Sequence, residues 1–179
     1  MMNELFAPEL PLIARFNRTE FWKRHSPIAQ HDEEAVALRK LLRGELSAVE
    51  AYEEVIDHIV RAHNSNDETV RVQEALRSIL KDHEDAVFFV KEMLRNEGVE
   101  PDEGSGVWGS VVQAVVASAS LIGDDGALWA LVKGEEHGLE LYEDAIENGA
   151  IIHNRRHILT RSIPKQRAHL DRLSILMTV

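Results

Sequence analysis

Sixteen residues of this chain are written nearly twice. Residues 41–56 read LLRGELSAVEAYEEVI, and ninety positions later residues 131–146 read LVKGEEHGLELYEDAI. Leu, Gly, Glu, Glu, Tyr, Glu and Ile coincide at seven positions, and Arg43/Lys133, Val49/Leu139 and Glu54/Asp144 keep their character. An internal repeat of this kind implies two halves built alike, which restricts the architecture before any local pattern is considered. It also sets an acid, Glu45 or Glu135, at the same place in each half.

At 179 residues the chain suits one domain with a sizeable core, and the repeat makes that a domain of two halves. A net charge of −11 argues against nucleic acid and anionic membrane surfaces as partners, because both select clustered Lys and Arg. The absence of cysteine excludes disulfides, thiolate metal sites and a cysteine nucleophile, and it suits a reducing, cytoplasmic setting. The first residues, MMNELFAPELPLIARF, lack the basic start and sustained apolar run of a signal peptide.

The chain reads as all-α. Residues 1–30 carry Phe6, Phe16, Phe21 and Trp22 among Pro8, Pro11 and Pro27, an irregular N-terminal arm whose aromatics are expected to pack on the bundle or on a partner chain. Residues 31–179 are expected to form the bundle. A first long helix is expected over 32–63, with Asp32, Glu33 and Glu34 in its first turn. A second, capped by Asp67, runs to Glu97 and stops at Gly98. After a loop, residues 107–121 suggest a short apolar crossover helix. A third long helix, capped by Asp124 and Asp125, runs to about Asn148, and the fourth fills the remainder, with Pro164 kinking or interrupting it. Two antiparallel hairpins joined by one long connection describe a ferritin-like four-helix bundle.

Each helix places one ligand-capable residue inside its apolar stripe. Glu45 and Tyr52 lie seven residues apart among Leu38, Leu41, Leu42, Val55 and Ile59, and Glu135 and Tyr142 repeat this on the third helix. His83 is centred among Leu76, Ile79, Val87 and Val90, and His169 lies among Ile163, Leu170 and Leu173. Counted from the first interhelical turn, Glu45 and His83 differ in depth by roughly 3 Å, and Glu135 and His169 by about one turn. Two carboxylates buried together require compensation by protons, tyrosine hydroxyls, imidazoles or a cation. Taken singly, a glutamate in such a stripe ordinarily reaches water at its edge. Two glutamates and two histidines at one depth instead suit iron, manganese or zinc.

On the segments GELSAVEAY, RNEGVEPDEGSGVWGS, GDDGALWALVKGEEHGLELYEDAI and AHLDRL, the chain resembles the ferritin-like superfamily. More narrowly, it is similar to an uncharacterised, rubrerythrin-related bacterial family within it. The resemblance spans residues 35–176. It implies metal ligands at Glu45, His83, Glu135 and His169, with Tyr52, Tyr142 and Gln166 as hydrogen-bonding partners behind them. Iron or manganese is the implied metal, and oxidation by oxygen or peroxide, in a redox or stress role, the implied chemistry. The chain departs from the superfamily's Glu-x-x-His pairs, carrying Leu80 and Gln166 where acids are expected. That leaves open a mononuclear site, a site completed by Glu53, Glu143 or a partner chain, or a metal-free structural or interaction module that has lost the di-iron site. A homo-oligomer, a dimer, is the expected assembly. Whether the protein catalyses anything is not legible in the sequence.

The other motifs carry less. Glu50, Glu53, Glu54, Glu140, Glu143 and Asp144 read as a solvated acidic face. His153 and His157 have the i, i+4 spacing of a metal clip, but Arg155 and Arg156 stand between them. Gly104, Gly106 and Gly109 lack the preceding strand that a nucleotide-binding loop requires.

Overall fold

A computed structural model describes residues 27–62, 66–104, 123–149, 151 and 153–178. The arm up to residue 26 and the crossover segment 107–121 lie outside the described residues. Among the described residues the regular structure is all helical: α1 Pro27–Ala62, α2 Asp67–Asn96, α3 Asp124–Glu147, α4 His153–Thr160 and α5 Ile163–Leu176.

The helix ends differ from expectation in three places, each decided by a single residue. α1 begins at Pro27, within the span read as an arm, so Asp32, Glu33 and Glu34 fall beyond its first turn. Proline suits a first turn because the amide it lacks would have no partner there. Asn66, not Asp67, caps α2: its side-chain oxygen accepts from the Thr69 amide at 2.7 Å. α3 is preceded by Gly123 at φ 106°, and Asp124 and Asp125 form its acidic first turn rather than its cap. α2 closes as expected. Gly98, at φ 70°, lets its amide reach Arg95 O and the Val99 amide reach Leu94 O, satisfying the last carbonyls.

The last helix is interrupted, as Pro164 suggested. Arg161 and Ser162 form a turn whose amides bond to Ile158 O and Leu159 O, and Pro164 sits in the first turn of α5. Neighbouring rods run antiparallel around the bundle. Arg39 and Arg43 in the first half of α1 bind Asp102 beyond the end of α2, at 2.7 and 2.9 Å. His58 near the end of α1 meets Asp124 at the start of α3, at 3.4 Å. Arg172 in α5 reaches Ser78 in α2 at 3.0 Å.

The apolar core is split. One cluster, around Val55, Ile59, Leu76, Ile79, Leu131 and Leu173, fills the end where α1 finishes. The other, around Leu38, Leu42, Val90, Leu94, Leu141 and Leu159, fills the opposite end. Between them lies a buried polar layer: Glu45, His83, Glu135, Gln166 and His169. Long apolar stripes with one polar interruption per helix stack into this arrangement when the interruptions share a level.

Candidate metal centre

α1 contributes Glu45 and Tyr52, α2 His83, α3 Glu135 and Tyr142, and α5 Gln166 and His169, and all seven side chains are buried. His83 is the hub. Its Nδ1 lies 2.7 Å from Glu45 Oε2 and its Nε2 lies 2.8 Å from Glu135 Oε1. The other Glu135 oxygen lies 3.3 Å from His169 Nδ1. The two imidazoles approach with ring centres 5.0 Å apart.

The tyrosines cross between the halves. Tyr52 donates its hydroxyl to Glu135 at 2.6 Å, and Tyr142 donates to Glu45 at 2.6 Å. Each repeat therefore binds the acid of the other. The crossing follows from the packing: α1 and α3 run antiparallel side by side, so the residue seven positions beyond each acid lies level with the opposite acid. Gln166 Nε2 donates to Glu45 Oε1 at 3.4 Å.

The electrostatics follow from this geometry. Burial alone would push His83 down, but hydrogen bonds to Glu135 and Glu45 carry its pKa up to about 10. Burial would raise Glu135, yet the hydrogen bonds with His169 and His83 hold it down to about 2. Tyr52 and Tyr142 are pushed well above the usual phenol range by burial and by the adjacent Glu135 and Glu45, so both remain hydrogen-bond donors.

The donor set fits a cation. Ligand atoms of His83, Glu135 and His169 all lie within 4.8 Å of one another. Glu45 stands outside that trio and touches it through His83. A void of about 20 Å³ adjoins Glu45, His83, Glu135 and Gln166, about the size of one water or ion. Gln166 Oε1, a buried acceptor, has no partner among the described residues. Two imidazoles and a carboxylate beside a small void are a donor set able to hold a metal ion. The competitor is the proton that His83 already holds.

Other expected contributors fall elsewhere. Glu53 is exposed, and Glu143 pairs with Arg167 at 3.0 Å, so neither completes the layer. Leu80 packs at the edge of the first apolar cluster, which leaves the acid missing there unreplaced. Sequence reasoning missed Asp82. Its carboxylate lies 3.3 Å from His169 Nε2 and 2.5 Å from Lys165 Nζ; burial would raise its pKa, and the hydrogen bonds with Lys165 and His169 lower it instead. No spacing rule marks it, because its role arises only where α2 meets α5.

A second group, His31, Glu34 and Glu97, also brings ligand-capable atoms together. Here Arg155 from α4 already supplies the positive charge, pairing with Glu97 and lying 3.3 Å from the fully buried Glu34. Glu97 also pairs with His31. Burial would raise the Glu97 pKa, and Arg155 and His31 lower it instead. This cluster pins α4 to the end of the bundle.

A model described as a domain of unknown function, DUF2383, matches residues 33–148. The match ends before α4 and α5, so Gln166 and His169 lie beyond it. No curated protein and no solved structure matches the chain.

Proposed function

From the premise that the chain belongs to the DUF2383 family, we propose that it is a ferritin-like bundle protein that binds one iron or manganese ion in its core. The supporting observation is the convergence of His83, Glu135 and His169, all buried, with ligand atoms within 4.8 Å. Two imidazole nitrogens and one carboxylate would hold the ion, with Glu45 orienting His83 from its far side. When bound, iron supplies one-electron redox chemistry. The protein's part is to keep Glu135 ionised, fix both carboxylates with tyrosine donors, and release the His83 proton when that ring becomes a ligand. One ion rather than two follows from Leu80 and Gln166, which remove two carboxylates from the layer.

The test is the metal content of protein purified without a polyhistidine tag. About one equivalent is expected, falling to background in His169→Ala and in a Glu45→Ala, Glu135→Ala double variant, with helical content checked by circular dichroism. Trace metal that is the same in all three proteins would refute the reading.

A metal-free structural module is the second reading. One observation favours it: His83, both glutamates and both tyrosines already satisfy one another without an ion. Absence of metal together with an unfolding midpoint unmoved by iron(II) or manganese(II) would select it, since a ligand held only by the folded state raises apparent stability.

A further inference from the structure

The bundle opens beside the polar layer. α2 and α5 touch along little of their length, and the chain turns at Arg161 and Ser162 between α4 and α5. Between them lies a cleft of about 430 Å³, with an apolar wall of Ala86, Phe89, Val90, Ile158 and Leu159. Phe89 is 43% exposed there, and its neighbour Phe88 on α2 is 66% exposed. Two adjacent phenyl rings facing water, beside further hydrocarbon, mark a surface that something covers.

Both walls of this cleft lead to the place where α1 begins. Glu97, eight residues beyond Phe89 on α2, pairs with Arg155, one turn before Ile158 on α4, and also with His31 of α1. α1 starts at Pro27, one turn before His31. Its start therefore lies about 18 Å from Phe89 along the bundle and about one helix spacing, roughly 10 Å, to the side. Trp22 and Phe16 precede Pro27 by five and eleven residues, reaches of up to about 17 and 36 Å, which bracket that distance. The chemistry of the arm also fits. Residues 15–24, RFNRTEFWKR, carry three aromatic rings and four cations, Arg15, Arg18, Lys23 and Arg24, against one acid, Glu20, in a chain whose net charge is −11. On α2, Glu84 and Glu92 stand one turn to either side of Phe88, and Asp85 one turn before Phe89. The cations now beside them, Lys81 and Arg95, form weak exposed pairs along the same helix, which further cations can share. Arg161 at the cleft has no ion-pair partner among the described residues and offers a counterion to Glu20.

We propose that residues 15–24 of the same chain dock on this face, their aromatic rings against Phe88, Phe89 and the apolar wall of the cleft and their basic side chains among Glu84, Asp85 and Glu92. The arm thereby closes the opening that leads to His169 at the edge of the polar layer. The docking does not depend on the metal reading, because every group it uses belongs to the polypeptide.

The experiment attaches a nitroxide to the full-length, chelator-treated protein through Thr19→Cys, since the sequence has no other cysteine, and follows backbone amide intensities by NMR. The signals of Ala86, Phe89 and Leu159 should be lost and should return when ascorbate reduces the nitroxide. Those of Val60 and Val70, at the opposite end of the bundle, should keep their intensity. In a mixture of isotope-labelled protein without nitroxide and unlabelled protein carrying it, no signal should be lost. Loss in that mixture would assign the arm to a second copy, and intact signals at Ala86, Phe89 and Leu159 would leave the cleft to another occupant; either overturns the proposal. Replacing Phe16, Phe21 and Trp22 together by Ser should restore the lost signals while leaving every bundle residue in place. Phe89→Asp should do the same from the other side of the contact, and loss that persists in both variants would overturn the proposal as well. Each of these failures would leave the metal reading to its own test, since no metal is present.

Discussion

The affinity of the centre for manganese(II) should keep rising with pH well beyond the point where ordinary histidine sites level off. His83 lies between two carboxylates, and its pKa is raised to about 10. A metal can use that ring only after its proton leaves. At pH 7 the ring is about three units below its pKa, so deprotonation costs about 4 kcal/mol and holds the apparent affinity about a thousandfold below its limit. A site built on unperturbed histidines, with pKa near 6.5, is nearly flat above pH 7. Here each pH unit should bring about a tenfold gain, hence roughly thirtyfold between pH 7 and 8.5. Equilibrium titration under argon, with free manganese read by electron paramagnetic resonance, measures this directly. Calorimetry in two buffers of different ionisation enthalpy should show about one proton released per ion bound. Glu45→Gln removes one of the carboxylates that hold the proton, so the curve should level off at lower pH. An affinity independent of pH above 7, or binding without proton release, would refute the assignment of His83 as both proton holder and ligand.

Three further outcomes follow from the same geometry. Without metal, stability should be greatest between about pH 4.5 and 6.5. The raised His83 contributes fully below its ordinary 6.5 and loses that contribution as the pH climbs toward 10, while the depressed Glu135 contributes fully above its ordinary 4.5 and loses it as the pH falls toward 2. Urea unfolding at pH 8 should therefore lie about 2 kcal/mol below that at pH 6.5, and equal values would contradict the raised His83. Tyr52→Phe and Tyr142→Phe should each cost about 1.5–3 kcal/mol in urea unfolding, because each leaves a buried carboxylate oxygen without its hydroxyl donor. Losses under 0.5 kcal/mol would show the crossed bonds to be incidental. Asn66→Ala should cost about 1 kcal/mol through loss of the α2 cap, and Asp67→Ala distinctly less; the reverse order by thermal melting would restore Asp67 as the cap.

Much of the buried polar layer was legible because burial and periodicity speak through long stretches of chain. Glu45, His83, Glu135 and His169 each interrupt an apolar stripe, and counting residues from a turn sets the depth of a straight helix to within a few ångströms. The tyrosines were legible as hydrogen-bond donors, since seven residues return a side chain to the same face. Which acid each would meet was not, because that depends on the register between α1 and α3. Asp82 was hidden for a similar reason: its neighbours His169 and Lys165 belong to a helix far away in sequence. The caps were misjudged because Asn66 and Asp67 are both good capping residues, and one residue of backbone geometry chooses between them. Pro164 announced the interruption that divides α4 from α5, but not that the break would open a cleft.

The exchange of hydroxyls between the two repeats has a consequence for how the molecule holds together. Each hairpin gives its own acid an imidazole, His83 for Glu45 and His169 for Glu135, but the phenol on Glu45 comes from the later half and that on Glu135 from the earlier half. Separated, each acid would lose its phenol and each tyrosine would aim at nothing, so the crossed bonds favour assembly of the halves as a pair. The same reciprocity is what two identical hairpins would show across a symmetry axis, and in this chain one continuous polypeptide carries both sides of that handshake.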